Sequence, residues 1–568
     1  MTKAISKTAP EPLAPAAFSI PPVHSMTLDN GLKVVVLSDK RLPIVSYRLA
    51  FLSGDASDPR DAIGLTSAMT AMLTEGTENY SSRELAETIE RLGAGISANA
   101  SDDFTIIAAS TLSMYDSDVL RLISEIVFRP TFPESELDLY RRNTIENLKF
   151  QRSQPNFLAN EQTARLLYGD HPYSVISPTA ADIEKLTRAA LKSHRAKVFI
   201  PNNAILIAVG DVEIDAFLAE VHSHFGHWQR GHVEPLAAAA PPTRDAVGFT
   251  IVDRPGSAQA NIVMSNLAFE RSHPDYFAAI VMNQVLGAGA SSRVFMNLRE
   301  EKGYTYGAYT RIDMKKLAGD FEATAEVRTS VTGDSLREFF YELDRIRNEE
   351  VPENEIADAK NFLTGVFPIR AETQEGLTNL IVNQQLYGLP EDYLQTYRDK
   401  INAITVDDIA KAARKYVTPE TMAIVIVGDA AEIIPQVRSY SSSIEVFDTD
   451  GNRKDPAAYE TSDTVETANI AGSWKLMLDF QGQQVPISLE LSQDGDALRG
   501  KLETVLGSGA INDGKVNGKR FSAVAVTEIQ GQSVDLSISG SADGDALAGT
   551  IEASLLPDAL SFTGTREA

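Results

Sequence analysis

The chain has 568 residues, 43% of them hydrophobic and 23% charged, which is the composition of a globular protein of roughly three or four domains. It has 52 Lys and Arg residues against 78 Asp and Glu residues, and the net charge of −26 disfavours nucleic acid and anionic membranes as partners. There is no cysteine, which excludes disulfides, thiolate nucleophiles and cysteine–zinc sites.

Targeting signals are weak at the start of the chain. Residues 1–22 hold two lysines and a Pro/Ala-rich stretch, without the unbroken apolar core of a signal peptide. The apolar runs elsewhere are much shorter than the roughly 20 residues of a membrane-spanning helix. We therefore expect a soluble protein without a transmembrane segment; its compartment stays open, with the periplasm favoured over the cytoplasm.

The first 150 residues contain both strand-like and helix-like segments. Strands are predicted, from β-branched and aromatic enrichment, at residues 33–38, 44–52 and 103–112. Helices are predicted at residues 64–74, 117–128 and 134–150. Ser81 and Glu84 form a capping box for a further helix that ends at Gly93. Strands followed by runs of helices favour an α+β fold with an antiparallel sheet.

A long internal repeat extends this pattern through residue 440. Residues 183–211 resemble residues 401–429, each with a helix, a proline turn and a buried strand. The segments FPESELDLYRR and VPENEIADAKN match at nearly the same offset. Two matches at one offset predict a duplicated unit of about 210–220 residues. The alternative is a pair of unrelated helix–strand pieces of similar composition.

Composition changes divide the chain into five segments. We predict two homologous α+β domains, each an antiparallel sheet with helices over one face, followed by a small all-β domain. In the last segment DGDALRGKL recurs as DGDALAGTI between short alternating strands, as in a meander, sandwich or barrel. The boundaries are 24–234 for the first domain, 235–244 for a Pro/Ala-rich linker, 245–440 for the second domain, 441–469 for an acidic linker and 470–568 for the all-β module.

Metal-binding motifs were sought among the eight histidines. A hydrolytic zinc needs two or three imidazoles or carboxylates fixed on one ion, yet neither HExxH nor HxxEH occurs. The cluster HSHFGHWQRGH at residues 222–232 has a spacing that fits no common site, and we interpret it as the polar end of a helix. A phosphate-binding glycine loop and a GxSxG serine elbow are also absent from the sequence.

One segment combines an arginine with several tyrosines. Residues 291–313 place Arg299 on a short helix, and a following strand carries Tyr304, Tyr306 and Tyr309. A guanidinium and a phenol brought close together would suit a developing oxyanion. From the residues alone, a surface arginine beside an amphipathic edge strand is the favoured interpretation.

Several segments, in order and at the right spacing, resemble the insulinase-like (pitrilysin-type) metallopeptidases, which include mitochondrial processing peptidase. They are LDNGLKVVVLSD at 28–39, GLTSAMTAMLTEGT at 64–77, RPTFPESEL at 129–137 and SSRVFMNLREEKGYTYG from residue 291. The resemblance covers about residues 24–440 and implies the duplicated α+β fold of that family.

The resemblance also implies a zinc site that this chain has lost. The inverted HxxEH of the family falls on Ser67, Thr70 and Ala71, and its third ligand, a glutamate, falls on Asn147. All four residues are non-ligating, so we expect no metal and no other cofactor in this chain.

The other part of the family's active site is present. Family members carry an arginine and a tyrosine seven residues apart that hold the substrate peptide, and Arg299 and Tyr306 match them. In bacterial two-chain members one subunit supplies the zinc and its partner supplies this pair. The resemblance implies that this chain is the non-zinc, substrate-binding subunit of a heterodimeric peptidase acting on peptides or unfolded polypeptides, with zinc in a homologous HxxEH-bearing partner. A catalytically inactive scaffold or peptide-binding protein of the same fold is the alternative.

Overall fold

The computed structural model divides the chain into two units, Met1–Ala458 and Tyr459–Ala568. The first unit holds two mixed sheets with their helices, and the second holds a closed β-barrel. The predicted α+β class with an all-β C-terminal segment is thereby confirmed. The structure describes residues 19–234, 236, 238–441, 443–459, 468–480, 483–504, 507–529, 532–553 and 560–567.

The first sheet is built from six strands in the order β1-β2-β6-β3-β5-β4. The strands are β1 His24–Thr27, β2 Lys33–Ser38, β3 Ile44–Phe51, β4 Gly95–Ala100, β5 Thr105–Leu112 and β6 Ala204–Gly210. The helices of this part are α1 Leu65–Ala71, α2 Ser82–Arg91, α3 Asp116–Phe128, α4 Glu134–Ser153, α5 Pro155–Tyr168, α6 Ala180–Lys185, α7 Arg188–Val198 and α8 Ile214–Phe225. The predicted capping box of α2 is present, with Ser81 and Glu84 bonded reciprocally.

The second sheet has seven strands in the order β13-β12-β7-β11-β8-β10-β9. The strands are β7 Gly248–Asp253, β8 Gln259–Leu267, β9 Thr305–Met314, β10 Gly319–Arg328, β11 Ala423–Gly428, β12 Ile444–Phe447 and β13 Arg453–Lys454. The helices are α9 Tyr276–Leu286, α10 Arg293–Phe295, α11 Thr332–Asn348, α12 Glu353–Glu372, α13 Gln374–Leu386, α14 Tyr393–Ala403, α15 Val406–Tyr416 and α16 Ala430–Val437.

The two sheets share one strand order, because β2-β6-β3-β5-β4 corresponds to β7-β11-β8-β10-β9. Pro201 and Pro419 each begin a short 3-10 turn directly before the central strands β6 and β11. The prediction of purely antiparallel sheets is wrong, since β2 pairs parallel with β6 and β7 pairs parallel with β11. Both central strands return after a long helical stretch, and such a crossover permits parallel pairing.

Two helices exchange sheets within the first unit. Helix α5 packs on β8 and β11 of the second sheet, where Leu158 and Ala159 contact the valines of that sheet. Helix α13 packs on β3 and β6 of the first sheet, and its Gln374 donates from Nε2 to the Asp39 carbonyl at 3.0 Å. Each sheet is therefore partly covered by a helix that lies between strands of the other sheet in the sequence.

The second unit is an eight-stranded barrel in which each strand pairs antiparallel with the next and β14 closes onto β21. Trp474 is fully buried, donates from Nε1 to the Ile470 carbonyl at 2.9 Å and lies under the Arg566 guanidinium at 4.3 Å. The repeated DGD motif forms two hairpin turns with Gly495 and Gly544 at φ 63°. The strands are β14 Gly472–Phe480, β15 Gln483–Asp494, β16 Ala497–Thr504, β17 Gly507–Asn517, β18 Arg520–Ile529, β19 Gln532–Asp543, β20 Ala546–Ala553 and β21 Leu560–Arg566.

The two predicted linkers fall partly outside the described residues. Residues 235 and 237 of the first, and residues 442 and 460–467 of the second, are not described. In the second segment β12 instead pairs parallel with β7 and extends the second sheet. Within the described part of the chain, no helix is both long enough and apolar enough to cross a membrane.

Candidate functional site

Arg299 lies in a π-helical turn, Met296–Glu301, that follows α10. Single π-turns inside helices are rare and occur frequently at functional sites. Buried Asn297 anchors the turn, because its Nδ2 donates to Glu342 Oε1 at 2.9 Å and to Glu338 Oε2 at 3.3 Å. The turn directs the Arg299 side chain toward the start of β9, the edge strand of the second sheet.

Tyr306 sits on that edge strand, and 86% of it is exposed. The Arg299 guanidinium carbon lies 5.0 Å from the Tyr306 ring centroid, within the range of a cation–π contact. The guanidinium donates from Nη1 to the Thr305 carbonyl at 3.4 Å, and its Nε is 3.7 Å from Glu300 Oε1. The structure thus brings the two predicted residues together at the surface, while their role in catalysis stays a prediction.

The four positions that would ligate zinc do not fit a metal. Ser67 on α1 donates its hydroxyl proton to Asp55, at 2.7 and 2.9 Å from the two carboxylate oxygens. The hydroxyl of buried Thr70 donates to a backbone carbonyl of its own helix, Ala71 has no polar side-chain atom, and Asn147 is exposed on α4. Among the described residues no group of three His, Asp or Glu side chains is arranged to hold an ion.

A buried hydrogen-bond chain lies behind these positions and was missed in the sequence. The Thr66 hydroxyl donates to Asp58 Oδ1 at 2.5 Å and therefore accepts from His194 Nε2 at 2.7 Å. Burial raises the pKa of Asp58 to about 7, although the hydrogen bonds from Thr66 lower it. Burial also lowers the pKa of His194 to about 4. The one sequence signal was the pair of aspartates in GDASDPR, directly after β3.

A cavity of about 110 Å³ opens beside Ser67. Its polar wall includes three carboxylates, and its apolar wall comes from isoleucine, valine and proline side chains of two loops. The lining includes Asp55, Asp58, Asp102, Arg60, Ile63, Val175, Ile176 and Pro178. The place where the related peptidases would hold their metal is therefore an acidic pocket without a metal-ligating set among the described residues.

The histidine cluster contributes to no such site. His222 and His224 end helix α8, and His224 Nε2 lies 3.3 Å from Glu220 Oε2 on the preceding turn. His227 stacks near Phe128, with ring centroids 4.9 Å apart. These contacts agree with the interpretation of the cluster as the polar end of a helix.

Two models of one protein family match consecutive parts of the first unit. The model of the insulinase family, peptidase family M16, matches residues 33–175, and the model of the peptidase M16 inactive domain matches residues 185–363. An uncharacterized zinc protease YmxG from Bacillus subtilis is 21% identical over 405 residues, covering 70% of this chain and 96% of that protein. A non-peptidase homolog YmxG from Helicobacter pylori is 24% identical over 386 residues, covering 67% of this chain and 88% of that protein.

Solved structures agree with this assignment. A peptidase M16 inactive domain from Pseudomonas fluorescens superposes with a TM-score of 0.68 at 26% identity, covering 72% of this chain and 98% of that chain. A protease from Helicobacter pylori superposes with a TM-score of 0.67 at 20% identity, covering 72% of this chain and 100% of that chain. The second likeness concerns the fold alone.

Proposed function

The chain belongs to the M16 (insulinase) peptidase family, and we propose that it is the non-zinc, substrate-binding subunit of a heterodimeric zinc peptidase acting on peptides or unfolded polypeptides. The observation that carries this proposal is the exposed pair of Arg299 and Tyr306 in a chain whose four zinc positions offer no metal ligands. A homologous HxxEH-bearing partner would supply the zinc.

The chemistry of the pair supports this role. A peptide carbonyl under attack gains negative charge, and donors aimed at that charge stabilise the transition state. The Arg299 guanidinium and the Tyr306 hydroxyl are both donors, and 86% exposure leaves the Tyr306 side chain accessible to a second molecule. A scaffold has no chemical requirement for this combination at a sheet edge.

The proposal includes inactivity of the chain alone. Ser67, Thr70, Ala71 and Asn147 provide neither the imidazoles nor the glutamates that the zinc of this family needs. The name of the Helicobacter pylori relative, a non-peptidase homolog, supports extending the same conclusion to this chain. The shared strand order of the two sheets further supports our inference that both arose from one duplicated unit.

The test is reconstitution with an HxxEH-bearing homologue from the same organism. We expect turnover of a fluorogenic peptide by the pair, none by this chain alone, and well under one zinc per chain in the isolated protein. Tyr306→Phe should lower turnover about 10²–10³-fold, the typical loss for one oxyanion donor. Tyr309→Phe is the matched control, because Tyr309 lies on the same strand and is 44% exposed.

Size-exclusion chromatography separates loss of catalysis from loss of assembly. If Tyr306→Phe keeps full turnover in an intact complex, the pair is not catalytic here. The alternative, a catalytically inactive scaffold or peptide-binding protein, would then take precedence. That alternative is favoured by the complete replacement of the zinc ligands rather than the loss of one.

A further inference from the structure

Two carboxylates, the buried one of Asp58 and the half-buried one of Asp55, line the cavity beside Ser67. The Asp58 side chain is only 3% exposed, and its Oδ2 accepts no hydrogen bond from any described residue, whereas Oδ1 accepts those of Thr66. The carboxylate of Asp55 accepts the hydroxyl of Ser67. Burying a carboxylate without a counter-charge is costly, and burial accordingly raises the pKa of both carboxyls. A ligand that brings positive charge would favour their ionised forms.

Among the described residues, no lysine or arginine forms an ion pair with Asp55 or Asp58. Lys315 pairs with Asp102, the third carboxylate of the lining, at 2.7 Å. Arg60 is exposed and donates to the backbone carbonyl of Asp170. Burial lowers the pKa of His194 to about 4, so this side chain is neutral at pH 7. The other two carboxylates are therefore the ones that a ligand can neutralise.

A metal ion is a poor occupant, because no described group of three ligating side chains surrounds the site. An ammonium group fits better, because it carries one positive charge and three N–H donors. The acceptors available to it are Asp58 Oδ2, the Asp55 carboxylate and the Ser67 hydroxyl oxygen. The apolar side chains of Val175 and Ile176 suit a methylene chain behind the charged head. The volume, about 110 Å³, is several times the space that one water requires.

We propose that this cavity binds a primary alkylammonium group, such as a lysine side chain or the free amino terminus of a peptide. The recognition elements are Asp58, Asp55 and Ser67 for the ammonium, with Val175 and Ile176 for its carbon chain. All of these residues belong to the first unit, and none is part of the Arg299 and Tyr306 pair. The failure of this proposal would therefore leave the proposed peptidase function untouched, and the reverse also holds.

The test measures binding to the full chain by isothermal titration calorimetry or ligand-observed NMR. Three tripeptide probes are used: one with blocked ends and a central lysine, one with blocked ends and norleucine instead, and the norleucine peptide with a free amino terminus. We expect the blocked lysine peptide to bind and the blocked norleucine peptide not to bind. Binding of the third probe assigns the site to amino termini as well; its failure to bind assigns the site to lysine side chains.

The decisive variant is Asp58→Asn, which is isosteric and keeps an acceptor for Thr66 while removing the charge. It should weaken binding of the lysine peptide at least tenfold. Asp61→Asn is the matched control, because Asp61 is exposed on the same loop and its loss changes the net charge of −26 equally. The control should alter affinity less than twofold, which separates the site from general attraction of cations to an acidic surface.

Three results would overturn the proposal: equal binding of the blocked lysine and norleucine peptides, no binding of either ammonium probe, or an Asp58→Asn affinity within twofold of the unchanged chain. If Asp58→Asn proves unfolded by circular dichroism, Asp55→Asn replaces it. The same tenfold loss is then required, because Asp55 supplies the second carboxylate of the cavity.

Discussion

Replacing Leu158 by alanine tests whether the two sheets of the first unit unfold together. Leu158 belongs to α5, which lies between β5 and β6 of the first sheet in the sequence. Its side chain is 3% exposed and packs against Val252, Val263 and Val425 of the second sheet. Removing three buried carbons loses about 2.5 kcal/mol of transfer free energy. The cavity that remains adds roughly one to two more, so we expect a loss of about 4 kcal/mol.

The assay uses the single tryptophan of each unit. In a Trp474→Phe background, fluorescence reports only Trp228, which is packed in the core of the first sheet. The free energy of unfolding of a unit this large falls by about 3 kcal/mol or more per molar urea. A loss of about 4 kcal/mol should therefore lower the urea midpoint of Leu158→Ala by up to about 1 M. Leu139→Ala, at a position 43% exposed on α4, should leave it nearly unchanged.

The reasoning is refuted if Leu158→Ala leaves the Trp228 transition at its original midpoint. Such a result would mean that the first sheet unfolds without its neighbour, despite the exchange of α5 and α13. A second transition of the Trp228 fluorescence at a lower urea concentration would also mean that the two sheets do not unfold together.

Two further predictions concern buried polar groups. Burial raises the pKa of Asp320 to about 6, although the hydrogen bond from Tyr168 lowers it. Because this pKa lies above the value in the unfolded chain, the free energy of unfolding falls as the pH rises from about 4 to 6. Asp320→Asn should therefore raise the free energy of unfolding by about 3 kcal/mol at pH 7.5 but by far less at pH 4, and an equal gain at both pH values would contradict this assignment. In the barrel, Arg566 covers the Trp474 ring and donates to two backbone carbonyls. Arg566→Ala should lower the barrel's free energy of unfolding by about 2–3 kcal/mol, whereas exposed Arg520→Ala should not. Urea denaturation followed by Trp474 fluorescence in a Trp228→Phe background measures this change.

Local elements were predictable because short-range chemistry determines them. The β-branched enrichment of KVVVLS indicated β2 at residues 33–38, and Ser81 with Glu84 indicated the start of α2. Arg299 and Tyr306 were found through the family resemblance, and the helix-to-strand connection that joins them spans only seven residues.

Long-range arrangements were not predictable in the same way. The apolar pattern of α5 indicates that it has a buried face, but not that this face lies on the second sheet. The contact of Thr66 with His194 joins residues 128 positions apart, and no local pattern links a threonine to a histidine over that distance. The parallel pairing of β2 with β6 likewise depends on the path of the intervening helices.

The exchange of α5 and α13 also has a consequence for synthesis on the ribosome. Helix α5 leaves the ribosome long before β11, which begins at Ala423. At typical elongation rates the roughly 250 intervening residues take about 10 to 50 s to appear. Throughout that time the apolar face of α5 lacks β11, and β3 and β6 lack α13 until residues 374–386 have been made. The nascent chain thus completes the core of its first unit only after about three quarters of the residues have been made, and until then a holdase chaperone would find exposed apolar surface.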